Sequence, residues 1–133
     1  MSKVFVLLER RSSILFLSGS SAVFDTIPEE CFSKYDFYLL KINKENSIKE
    51  RFTNKDLIII DTYSLGVDFL DMAKELIGER NIPILIIDDF DNHIIINQLF
   101  AKGAKGYLNI DDYSSGIKTK IQKLIQKSGM LVL

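Results

Sequence analysis

The chain has 133 residues, 47% of them hydrophobic and 26% charged, with a formal net charge of -1. This composition describes one ordinary globular domain and gives no basic excess that would draw nucleic acid or an anionic membrane to it, so any DNA contact is expected outside this chain. A single cysteine, Cys31, excludes an internal disulfide, and the longest apolar runs fall far short of the roughly 20 residues of a membrane span. With no charged-then-apolar leader, the expected compartment is the cytoplasm.

Five short apolar runs follow one another: "KVFVLL" (3–8), "DFYLLKI" (36–42), "DLIII" (56–60), "IPILII" (82–87) and "KGYLNI" (105–110). The first third admits two frames. In one, "KVFVLL" is the first strand and a helix starts near Ser12, with Ile14, Leu17, Ser21 and Phe24 on one face. In the other, "SILFLSGS" is the first strand and "KVFVLL" is an extra element. Gly19 and its serines cost a helix about 1 kcal/mol or more, which speaks for the second frame. The second leaves "VFVLL" without a place to be buried, and the first is the one expected here.

Beyond residue 55 the periodicities are clear. "DLIII" runs into Asp61, and Val67, Leu70, Ala73, Leu76 and Ile77 then recur at three and four, with Gly78 as terminator. After "IPILII", Asp91 or Asn92 is the expected N-cap of a helix carrying Ile94 to Phe100, ended by Gly103. After "GYLNI", Ser114 or Ser115 is the expected cap of a helix with Ile117, Ile121, Leu124 and Ile125 inward and Lys118, Lys120, Lys123 and Lys127 outward. Strands alternating with helices predict an α/β fold with a parallel sheet covered on both faces. A carboxylate that ends a buried strand of such a sheet stands at the edge where ligands bind, which makes Asp61 the first candidate.

"DLIIIDTYSLGVDFL", "IPILII" and "AKGAKGYLNI" together resemble the receiver domain of two-component response regulators, in particular those of LuxR/NarL-type transcription factors. Asp61, Gly66, Asp68 and Leu70 keep the spacing of the phosphorylated aspartate and its following loop, and Gly103, Ala104, Gly106, Tyr107 and Leu108 match the segment at the last strand. The resemblance covers about residues 55–128. It implies a CheY-like, flavodoxin-like three-layer (βα)5 fold, a doubly wound parallel sheet with strand order 2-1-3-4-5. It also implies a receiver over 1–128, with 129–133 starting a linker or tail that leads to a separate DNA-binding domain.

The resemblance makes Asp61 the phospho-acceptor equivalent and Tyr107 the switch aromatic. Phosphoryl transfer to a carboxylate requires Mg²⁺ held by further carboxylates. In the expected frame their place reads Glu9, Arg10 and Arg11; in the other it falls on Ser18 and Gly19. Asp88, followed by Asp89, occupies the place of the hydroxyl switch residue, and Ile110 that of the lysine. The pocket of Glu9, Arg10, Asp88 and Ile110 is therefore read as degenerate, with no metal and no cofactor expected. Arg10 or Arg11 is a candidate to reach Asp61, or Asp88 and Asp89, as a fixed cation in place of Mg²⁺.

Ile94, Ile95 and Ile96 in succession wrap too far round a helix to face one sheet, so an association surface at Ile95, Ile96 and Leu99 and a homodimer are expected. His93 reads as a capping or solvent-facing residue. No Ser-His-Asp or Cys-His set assembles, and no enzyme is expected. The resulting expectation is a phosphorylation-independent regulatory module. Its alternatives are a conventional receiver phosphorylated on Asp61 and a small flavodoxin-like protein binding a metal or ligand with Asp61, Asp88 and Asp89. Some degenerate relatives with a similar "IDD" after the fifth strand respond to a cyclic dinucleotide, which makes that a further candidate partner.

Overall fold

The computed structural model describes residues 11–42, 54–77, 81–90 and 92–129. Five strands, β1 (Ser13–Ser18), β2 (Asp36–Lys41), β3 (Leu57–Asp61), β4 (Ile84–Asp88) and β5 (Gly106–Asn109), form one sheet in the order β2-β1-β3-β4-β5. Every pairing is parallel. The helices are α1 (Glu29–Lys34), α2 (Thr62–Leu65), α3 (Phe69–Ile77), α4 (His93–Ala101) and α5 (Tyr113–Gly129). This is the doubly wound fold with the expected strand order.

The interior strands are apolar at successive positions because side chains of alternate parity enter two different cores. Leu15, Leu17, Ile58, Ile60, Ile84 and Ile86 pack with Phe69, Leu70 and Ala73 of α3 and Leu99 of α4. Ile14, Phe16, Leu57, Ile59, Leu85 and Ile87 pack on the other face with Cys31 of α1 and with Tyr113, Ile117, Ile121 and Leu124 of α5. Each fully buried Leu, Ile or Phe contributes about 1.5–3 kcal/mol. Gly106 lets α5 approach: a Cβ there would stand 3.1 Å from side-chain atoms of both Leu124 and Leu85.

The expected frame of the first third is overturned. Ser13–Ser18 is a central strand, paired with β2 on one side and β3 on the other, rather than part of a helix. A strand buried on both faces carries no period of its own, so the three- and four-residue spacing of Ile14, Leu17 and Ser21 was coincidental. "KVFVLL", Glu9 and Arg10 lie outside the described residues, as do Gly78 and Asp91. The segment from Gly19 to Tyr35 holds only a 3-10 turn (Phe24–Thr26) and the six-residue α1.

Other boundaries shift by a few residues. Asn92, not Asp91, caps α4, its side chain accepting from the Ile94 amide at 2.8 Å. The last helix starts at Tyr113, ahead of the serines expected to cap it, because a 3-10 turn over Ile110–Asp112 leads directly into it. That turn is opened by Asn109, which accepts from the Asp111 amide at 2.8 Å. Val67, expected on the apolar stripe, precedes α3 and is exposed. Gly103, with φ 112°, takes the left-handed conformation that closes α4.

Candidate functional site

The register places four polar residues along the carboxyl edge. Ser18, Asp61, Asp88 and Asn109 are the last residues of β1, β3, β4 and β5, and the first three are buried. A parallel sheet turns all its strand ends of one polarity to the same side, so four strand-terminal side chains separated by as many as 91 positions meet there.

Asp61 is wholly shielded from solvent, with 0% exposure, and no cation among the described residues pairs with it. Its Oδ2 accepts from Ser18 Oγ at 2.8 Å and from Ser64 Oγ at 3.0 Å, and its Oδ1 accepts from the Ser64 amide at 3.2 Å. The last bond makes Asp61 the N-cap of α2. Ser64 Oγ lies 3.2 Å from Ser18 Oγ and accepts from the Gly19 amide at 2.9 Å, and Ser18 Oγ accepts from the Ser20 amide at 3.2 Å. Burying a carboxylate is costly unless donors replace its water, and hydrogen bonds to a charged group are each worth about 1.5–3 kcal/mol. Two serines and a helix amide supply that replacement here.

Asp88 stands in a separate set. Thr62 Oγ1 lies 2.6 Å from its Oδ2, and the Asp89 amide donates to its Oδ1 at 2.8 Å. Burial raises its pKa above the ordinary carboxylate value; the bonds from Thr62 and the Asp89 amide oppose this without cancelling it. Asp89 itself is exposed. Tyr107 Oη accepts from the Phe90 amide at 2.7 Å and faces the carbonyls of Asp88 at 3.1 Å and Phe90 at 3.2 Å, with its ring stacked on that of Phe90. The half-buried Tyr107 thereby ties the loop after β4 to β5.

Of the two candidate cations, Arg10 lies outside the described residues and Arg11 does not reach the site. Arg11 donates to the carbonyls of Phe32 at 2.6 Å and Tyr35 at 2.9 Å and pairs with Asp36 at 3.1 Å, all at the amino edge of the sheet. It precedes β1, whereas Asp61 ends β3, so a sheet's length separates them. The residues at the carboxyl end of β1 are Ser18 and Gly19, and they stand at the edge beside Asp61. Ile110 opens the turn after β5 and offers no charge.

Mg²⁺ does not fit these residues. It requires several oxygen ligands with compensating charge, and among the described residues no three His, Cys, Asp or Glu side chains come together to hold a metal. Asp61 and Asp88 are each turned to their own hydroxyl and amide donors, so the expected cluster of Asp61, Asp88 and Asp89 does not form as one set.

The expected association surface is also altered. Leu99 is 4% exposed and belongs to the core, because α4 is docked through that position. Ile95 and Ile96 are half-buried, while Ile94, 66% exposed, and Phe100 face outward. His93 is the exposed first residue of α4. Sequence reasoning passed over Ser64, whose place three residues after an N-capping aspartate was the available signal. It also passed over Tyr113, which lines a cavity of about 480 Å³ next to Asp61.

No family model matches the chain, and no curated protein does. Among solved structures, one described as the signal receiver domain of a Luxo repressor protein from Vibrio parahaemolyticus aligns over 91% of this chain and 95% of its own, with 17% identity and a TM-score of 0.74. A two-component response regulator from Clostridium difficile aligns over 90% and 99%, with 18% identity and a TM-score of 0.73. The chemotaxis response regulator CheY4 of Vibrio cholerae aligns over 86% and 99%, with 17% identity and a TM-score of 0.69. The chain therefore has the CheY-like fold of response-regulator receiver domains. No helix among the described residues is long and apolar enough to cross a membrane.

Proposed function

We propose that this chain is a degenerate receiver domain that regulates without Mg²⁺-dependent phosphoryl transfer, serving as a dimerisation module for a LuxR-type DNA-binding domain. The carrying observation is the occupant of the edge beside Asp61. Where an acidic pair would hold the metal, Ser18 donates to the aspartate at 2.8 Å and Gly19 packs its amide on Ser64. A working receiver needs an acceptor carboxylate open to a phosphodonor and a metal to offset the incoming charge. Asp61 has the position without the surroundings. The exposed Ile94 and Phe100 on α4 supply apolar surface for self-association.

The test is a titration of Mg²⁺, alone and with beryllofluoride, followed by thermal unfolding and by sedimentation. The expected result is a chain whose midpoint and dimer fraction do not respond to either. Saturable stabilisation by Mg²⁺, or a dimer that forms only with beryllofluoride, would overturn the proposal and restore a conventional phospho-acceptor at Asp61.

A further inference from the structure

The crossover from β1 to β2 is unusually lean: one 3-10 turn and the six-residue α1 stand where a single longer helix would cover the sheet. Beside it, between the loop after β1, the end of β3 and the start of α5, lies a cavity of about 480 Å³, within the size range of small-molecule sites. Its lining is largely apolar, with Val23, Ile110 and the rings of Tyr63 and Tyr113, and it reaches Asp61 and Ser64. Among the described residues, neither lysine nor arginine lines it.

Two features define what such a cavity would take. Asp61 is a carboxylate whose Oδ1 has, among the described residues, a single, long donor, the Ser64 amide at 3.2 Å, so acceptor capacity and a negative field remain at that end. An anion entering the hollow beside a carboxylate that has no cation partner among the described residues is repelled, and a cation is drawn in. Aromatic walls add to the attraction for a cation. The second feature is Tyr113. It is 2% exposed, and its hydroxyl is the one buried side-chain polar atom without a hydrogen-bond partner among the described residues. Burial, reinforced by the neighbouring Cys31 and Asp61, pushes its ionisation upward, so it stays a donor in want of an acceptor.

The geometry points to a binding site for a small organic ammonium compound with an apolar or aromatic body and one hydrogen-bond acceptor, its charge toward Asp61 and its acceptor toward Tyr113. The inference rests on the reading that Asp61 is not a magnesium and phosphate site. It makes this cavity the place where a chemical signal replaces phosphorylation. Occupancy would act on the Ser18, Asp61 and Ser64 set, and through it on α2, which Asp61 caps.

The test uses tyramine as the probe and 3-(4-hydroxyphenyl)propionate as its near-isosteric anion, each titrated into the ¹⁵N-labelled chain while the amide resonances of Ser20, Ser64 and Ser114 are followed. The expected result is saturable shifts with tyramine at about millimolar affinity or tighter, and binding of the anion weaker by about tenfold or more. Asp61→Asn should erase that preference, and Val23→Trp, which fills the hollow, should abolish both responses. Absence of saturable shifts with tyramine, equal binding of the anion, or an unchanged preference in Asp61→Asn would overturn the inference. If Asp61→Asn does not fold, the tyramine and anion titrations of the unaltered chain decide alone. A parallel Mg²⁺ titration separates the two readings: saturable Mg²⁺ binding at Asp61 defeats the degenerate receiver, whereas silence toward both Mg²⁺ and tyramine defeats only the ammonium site.

Discussion

Restoring a carboxylate beside Asp61 turns the assignment of Ser18 into a measurable free energy. Ser18 Oγ lies 2.8 Å from Asp61 Oδ2, so the longer side chain of Ser18→Asp brings a second carboxylate within about 4 Å of the first. At the effective dielectric that reproduces charge interactions in proteins, two like charges at that distance repel by about 4 kcal/mol. The variant also loses the hydroxyl donor, which to a charged acceptor is worth about 1.5–3 kcal/mol. Together these take a large part of the roughly 5–15 kcal/mol by which a domain is stable. Protonation of one of the pair relieves the repulsion, so the loss shrinks as pH falls.

The same variant should acquire a response to Mg²⁺ that the unaltered chain lacks. A divalent cation between the two carboxylates converts repulsion into binding, and at 100 times its dissociation constant it returns about 2.7 kcal/mol. Urea unfolding of Ser18→Asp and of the unaltered chain, each with and without Mg²⁺, yields all four stabilities. The expected pattern is a destabilised variant, rescued in part by Mg²⁺, beside an indifferent parent. A parent that gains as much from Mg²⁺ as the variant, or a variant as stable as the parent without metal, would refute the argument that Ser18 substitutes for a metal-binding carboxylate.

Two further outcomes follow from buried polar groups. The folded-state pKa of Asp88 is raised by burial, so its contribution to stability is greatest below the unfolded value, 3.8, and is lost as pH rises through the folded value. Asp88→Asn should therefore raise the melting temperature at pH 7, with the gain fading as pH is lowered toward 4; a gain independent of pH in thermal melts would contradict this. Tyr113→Phe removes a buried hydroxyl that has no partner among the described residues, and should stabilise the unliganded chain by about 1–3 kcal/mol, or a few degrees in melting temperature. Calorimetry showing a loss of that size would mean that Tyr113 Oη is bonded in solution.

The parts of the fold legible in the sequence were those where a pattern changes along the chain. Asp61 stood out because four apolar residues end on a charge, and the face of α5 because Ile117, Ile121 and Leu124 repeat at helical spacing. The first strand was misplaced because "SILFL" is buried on both sides, and a continuous apolar run holds no period with which to choose between frames. Leu99 was assigned to the surface because three successive isoleucines before it imply that some face of α4 is open; which face depends on how the helix docks, and it docks through Leu99. Ser64 and Tyr113 are ordinary residues in the sequence, and their roles arise only where loops from β1, β3 and β5 converge.

The carboxyl edge is divided into two polar sets, each with its own donors. Ser18, Asp61 and Ser64 form one; Thr62, Asp88 and the Asp89 amide form the other, with Tyr107 anchoring the adjoining loop. In a receiver that works by phosphorylation, one event at the aspartate must be felt by the hydroxyl of the neighbouring strand. Here Thr62, adjacent to Asp61 in the chain, already turns its hydroxyl to Asp88 and the Ile87 carbonyl, and no donor among the described residues bridges the two carboxylates. The covalent connection between the two sets is the backbone from Asp61 to Thr62, where β3 passes into α2. The first set borders a cavity, so a ligand that disturbs Asp61 would also disturb the cap of α2 and, through Thr62, the end of β4. Coupling by the covalent chain in this way needs neither a metal nor a phosphate, and it depends on Asp61 remaining a hydrogen-bonded cap.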